Sequence, residues 1–282
     1  MKPTLAVLLG LLLSPALAVP SFAPDTLAKG AISTIPPPLY RPKTSRLVVL
    51  GGVHLVGLAF TYDQSQKSWG GSTGKFHFKN DWSGEELRLA QNDEVSHLVV
   101  GYVLTKEGYR AYRWAGFSPK KSRTYGALES ALLLTLVECP MDAFNPTQGF
   151  GLADLIFDYA GVGFGLLQLS HPGSWDIKVS AKSNPFSSQE HFFAQTAAQF
   201  DNFVFWGTFR PAFKFGERQP LSLGLGYSTR RAADERYPLR EFRLGIGTSL
   251  PDFVRSFAPG AAKYFEILDF YYFNLNWRVT VR

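Results

Sequence analysis

The sequence predicts an α+β fold, an N-terminal bundle of about four apolar helices followed by a C-terminal antiparallel β-rich region. Three observations carry this reading. Before Pro172, apolar runs of helical length are separated by Gly, Pro and charged breaks. After Pro172 the texture changes to short segments in which apolar residues alternate with small or polar ones. Within the apolar runs, acidic residues and one histidine recur four apart: Asp93 and His97, Glu138 and Asp142, Asp154 and Asp158. In a helix that spacing places each pair on one face.

Residues 1–18 read as a secretory signal peptide. Lys2 supplies the positive start, Leu5–Leu13 the apolar run, and Ala16-Leu17-Ala18 a small-residue cleavage site after Ala18. The run is short for a membrane span of about 20 residues. Residues 19–45 hold Pro20, Pro24, Pro36, Pro37, Pro38 and Pro42 and form an extended arm. A helical domain is expected over 46–172 and a β-rich domain over 173–282. The first helix covers Arg46–Tyr62. Phe76, Phe78 and Trp82 then make an aromatic entry to the second helix, Ser96–Ala115. Ser118 and Pro119 are a helix start, with Ser118 as N-cap. The third helix runs over Pro119–Glu138 and is expected to end at Pro140. In the fourth, Leu152–Leu169, Gly161 and Gly165 have the small-xxx-small spacing that lets helices approach closely. Strands are expected over Trp175–Ala181, Phe203–Phe215, Pro220–Thr229, Arg240–Leu250 and Ile267–Val281. In the third strand, Leu221, Leu223, Leu225 and Tyr227 face one way, while Gly224 and Gly226 face a surface that comes close.

Composition bounds the location. Of the 282 residues, aromatics are 15% and charged residues only 18%, where a soluble domain carries about a quarter charged. Mean hydropathy is −0.05, far from that of an all-apolar membrane bundle. The net charge of +6 is scattered, with no basic run interleaved with stacking aromatics, which argues against nucleic acid as a partner. A membrane surface or envelope lipid suits the composition better, with another envelope protein as a further candidate partner. The single cysteine, Cys139, excludes an intrachain disulfide and a multi-thiolate zinc site. Four inner-membrane spans would place Lys120, Lys121 and Arg123 outside the cytoplasm, against the positive-inside tendency. The expected location is therefore the bacterial cell envelope, periplasmic or outer-membrane-associated. Aromatic-rich alternating strands fit a membrane-facing sheet, though there are too few to close a barrel alone.

Several stretches between 46 and 180 resemble the YfiM-like predicted periplasmic lipoproteins of bacterial envelopes. These are FHFKNDW at 76–82, Asp93 with His97, RWAGFSPKKS at 113–122, Glu138 with Asp142, and GFGLADLIFDYAGVGFG at 149–165. The chain departs from that pattern in Glu94, where the relatives carry Lys, in Asp158, where they carry Asn, and in lacking a lipidation cysteine. The order D…H…E…D is also similar to that of VanZ-like membrane proteins. The resemblance implies an envelope location and no particular activity.

Three roles compete for the cluster. It can be a buried hydrogen-bonded network that fixes helix register, since buried polar groups must be paired. It can be an enzyme site, with His97, Asp93 and Glu138 as acid, base or ligand and Asp142, Asp154 and Asp158 as binding groups. That alternative is a membrane-proximal hydrolase or transferase acting on a lipid-linked or phosphate-bearing substrate. It can also belong to a surface that docks an envelope protein or lipid. The pattern specifies neither a metal nor a cofactor. Glu138, in the last turn before Pro140, sits where the helix dipole disfavours an anion, so it needs a partner; His97 is the candidate. Glu129 lies on another side of its helix and is expected to be solvated or interfacial. Cys139 is expected to be a buried structural thiol. The GVGFG of the fourth helix does not follow a strand, so it is no dinucleotide fingerprint. His54, His77, His171 and His191 are isolated in sequence, and only His77 has a route to the cluster, if residues 76–82 fold over it.

Overall fold

A computed structural model describes residues 40–69, 72–81, 90–146, 148–182, 202–211, 220–230 and 239–281. The expected signal peptide, residues 19–39 of the arm, Trp82, His191 and the end of the second strand lie outside these. The fold is α+β, with helices first and a five-stranded antiparallel sheet C-terminal. Four long helices come in order: α1 (Thr44–Trp69), α2 (Asn92–Ala115), α3 (Pro119–Leu136) and α4 (Leu152–Ser170). The strands β1 (Trp175–Ala181), β2 (Phe203–Phe209), β3 (Ser222–Arg230), β4 (Leu239–Thr248) and β5 (Phe273–Val281) pair in sequence order.

Helix α2 is the centre of the helical part, packed between α3 and α4. Its Gly101 lies against the Asp158 carbonyl of α4, and Gly161 of α4 lies against the Leu98 carbonyl of α2. A Cβ at either position would enter the neighbouring backbone, so only glycine allows this separation. One apolar core joins α2 to the sheet: Val99, Val100, Tyr102 and Val103 pack with Val179 of β1 and Phe205 of β2. Burial of this set supplies the main attraction between the two halves.

Polar links add direction. The Tyr102 hydroxyl donates to Asp176, and Lys106 lies 3.0 Å from Asp176 and 3.2 Å from Asp269. Arg110 is also 3.2 Å from Asp269, and Lys178 is 3.0 Å from both Asp176 and Asp269. On the opposite face of the sheet, Trp206 lies across Gly224, Gly226 and Gly245 and packs edge-on to Tyr272 at 5.3 Å. The close surface expected over the glycines of β3 is therefore the sheet's own indole, whose Nε1 donates to Ser180 at 2.8 Å.

Several boundaries differ from expectation. Helix α1 extends past Tyr62 to Trp69, and α2 begins four residues before Ser96, at Asn92. Pro140 does not end the third helix. The chain continues as a π-helical segment, Val137–Asp142, with Pro140 inside it. The Ala143 N–H donates to the Glu138 carbonyl, five residues back, at 3.0 Å. Such a wide turn tolerates a residue with no N–H to give. The last expected strand starts late. Lys263–Leu268 is a 3₁₀ turn, and β5 begins at Phe273. Two short helices, α5 (Leu250–Phe257) and α6 (Pro259–Ala262), fill the β4–β5 connection and were not expected. The Ser249-Leu250-Pro251-Asp252 run was their signal, a helix start hidden at the end of an alternating strand.

Candidate functional site

Five of the six paired residues, all but Asp142, meet in one place. His97 comes from α2, one turn after Asp93. Glu138 comes from the π segment, and Asp154 and Asp158 come from successive turns of α4. The Nδ1–H of His97 donates to Asp158 Oδ1 at 3.0 Å. Glu138 Oε1 lies 3.8 Å from the same nitrogen. On the other side of the ring, Nε2 is 3.6 Å from Asp154 Oδ1 and 3.7 Å from Asp93 Oδ1. All five side chains are 1–2% exposed.

Burial alone would lower the His97 pKa. Asp158 opposes it by charge and hydrogen bond, with Asp93 and Glu138 adding to the effect, and together they push the imidazole up to about 9. At neutral pH the ring is therefore a cation with two donors, set among four carboxylates.

Local sequence explains the convergence. Helix α2 carries Asp93 in its first turn, where an anion is favoured by the dipole. The π segment carries Glu138 before the proline and Asp142 after it on one helical scaffold, and both are buried. Asp142 is not among the side chains around His97. Its carbonyl accepts from Asn145 at 2.9 Å and Gly149 at 3.0 Å, which turns the chain into α4. Among the described residues, Asp158 is the carboxylate nearest to His97.

Two contributors were not singled out in sequence, although both lie in the FHFKNDW stretch. Lys79 Nζ is 3.9 Å from Asp93 Oδ2. Asp81 Oδ2 accepts from the Ala153 N–H at 2.6 Å, capping α4 beside Asp154. The segment thus does fold against the cluster, but through Lys79 and Asp81. His77 lies against Gly149 and donates to the Lys75 carbonyl at 3.1 Å. His54, isolated in sequence, pairs with Glu129 at 2.5 Å and ties α1 to α3, so Glu129 is interfacial. Cys139 is half-buried, more exposed than a core thiol.

Two overlapping sets of groups have the spacing a cation needs. Asp93, His97 and Asp154 form one, and His97, Glu138 and Asp158 the other, with ligand atoms within 4.8 Å of one another. His97 belongs to both and ligates only when neutral, so a bound cation there would have to expel the imidazolium proton. General acid–base chemistry would need a path from outside to His97. With all five side chains 1–2% exposed, such a path would have to open through the packing around them.

No family model matches the chain, and neither a curated protein nor a solved structure does. Among the described residues, two helical stretches, Thr44–Asp63 and Leu152–Ser170, are long and apolar enough to cross a membrane. Core helices of water-soluble proteins meet the same test, so length alone assigns nothing.

Proposed function

We propose that this chain is a membrane-associated protein of the bacterial envelope, and that its Asp/His/Glu cluster is a structural ionic knot. In this reading the four apolar helices form a bundle whose register the knot fixes. The observation that carries it is the enclosure of His97. One imidazolium is surrounded by carboxylates from three chain segments, all 1–2% exposed. A charge in that setting holds its partners in place, and removing it takes one buried cation from among them. The envelope location is supported by the signal-like N-terminus, the aromatic-rich and charge-poor composition, and the resemblance to YfiM-like envelope proteins.

The test compares His97→Gln with His97→Ala by chemical denaturation in mild detergent. Both variants should lose stability, His97→Ala by about 3–5 kcal/mol, as expected when one partner of a buried ion pair is removed. A His97→Gln protein with an unchanged unfolding midpoint and a lost cellular phenotype would transfer the role of the cluster from structure to chemistry.

A further inference from the structure

The second half of the chain is patterned in reverse. A water-soluble sheet with one covered face buries its apolar side and exposes its polar side. Here two rows of apolar side chains cross three strands on the uncovered face. Leu223 pairs with Ile246, and Ile246 with Leu275. Leu225 pairs with Leu244, and Leu244 with Trp277. These six side chains are 37–74% exposed. Apart from Arg240 at the start of β4, the charges of the same strands point the other way. Glu241 lies 2.9 Å from Lys182 and 3.0 Å from Arg243 and Arg278 on the face that Trp206 and Tyr272 fill.

We infer that the uncovered apolar face of β3–β5 is a lipid seat, in contact with the acyl chains of a membrane. This rests on the membrane-associated reading above and says which surface makes the contact. Two arguments favour lipid over a protein partner. The inside-out alternation is that of strands facing hydrocarbon, where polar side chains turn inward. Apolar exposure also recurs on other elements, at Val56 of α1 and at Leu128 and Leu132 of α3, each about 60% exposed. A docked protein of ordinary size covers one patch of about 800 Å², whereas lipid wets every apolar face at once. The scattered +6 charge suits anionic headgroups at the rim.

The experiment uses the full chain, purified in mild detergent and mixed with phosphatidylethanolamine/phosphatidylglycerol vesicles. Flotation is compared for the unaltered protein and Leu225→Lys/Leu244→Lys, with circular dichroism confirming that both fold. In parallel, Leu225→Cys in a Cys139→Ser background carries a bimane label, with Lys120→Cys as the solvent-side control. The expected result is a fall in the vesicle-bound fraction of the double variant by about tenfold or more. The Leu225 label should be quenched by spin-labelled acyl chains and not by iodide, and the Lys120 label the reverse.

Equal flotation of the double variant, with iodide reaching the Leu225 label, overturns the seat and leaves membrane association to the helices. An unaltered protein that stays at the bottom of the gradient removes the membrane-associated reading itself. A Leu225 label reached by neither quencher, in a protein whose light-scattering mass is that of a dimer, overturns the seat in favour of a second copy.

Discussion

Burial would discharge His97, and the Asp158 carboxylate 3.0 Å away, helped by Asp93 and Glu138, keeps it charged. The linkage has a definite sign. The folded pKa of about 9 lies above the ordinary 6.5, so the native state binds the extra proton. The stabilisation is fully present below pH ~6.5 and is lost as pH rises through about 9. The unfolding midpoint of the unaltered protein should therefore fall between pH 7 and 9 relative to that of His97→Gln, and parallel pH profiles would count against the ion pairs. Within the structural reading, EDTA should leave that midpoint unchanged; a lower midpoint after chelation would hand the site to a cation. The four-residue spacing of the acids was legible in sequence because a helix puts i and i+4 on one face. The precedence of Asp158 over Asp93 was not, because it depends on how α4 is set across α2.

The spacing between those helices depends on Gly101 and Gly161, each pressed against the neighbouring backbone. Gly161→Ala would push its Cβ into the Leu98 carbonyl, and main chain cannot swing aside as a flexible side chain can. The expected cost is about 3 kcal/mol or more, read as a lower denaturation midpoint, and His97–Asp158 should loosen with it. A neutral Gly161→Ala would mean that the helices stand farther apart. Gly161 was readable as a close-packing signal from its spacing to Gly165, and Gly101 was not. The π segment was not, because local sequence gives Pro140 a helix-ending role. Only the burial of Glu138 and Asp142 together shows why the backbone continues in a wider turn.

Across the whole molecule, the helices and sheet are joined by a second ionic group, separate from the first. Asp269 receives Lys106, Lys178 and Arg110 from α2 and β1. Burial would raise its pKa, but Lys178, Lys106 and Arg110 hold it well below the usual carboxylate range. Its contribution is thus present above pH ~4 and lost as pH falls further, toward the depressed folded value. Asp269→Asn should cost about 1–3 kcal/mol, because Lys106 and Lys178 keep Asp176 and Arg110 keeps Glu107 while all three lose their shared carboxylate. It should also loosen β1 from α2 before the sheet unravels, which hydrogen exchange at Val179 and Phe205 would report; uniform loss of protection would argue that the halves are not coupled here.

The sequence by itself determined the α+β order, the presence of four long helices though not all their ends, the alternation of the strands and the four-residue spacing of the cluster. Each is a local property, set by periodicity, breakers and spacing within one segment. Only the tertiary structure decided that Asp93, Glu138, Asp154 and Asp158 gather at one imidazole, that Lys79 and Asp81 join them, and that Asp269 becomes a hub. It alone also showed that the sheet turns its leucines outward and its charges inward. A strand's alternation gives two faces without naming the covered one, and a charge in sequence does not name the distant residue that will neutralise it.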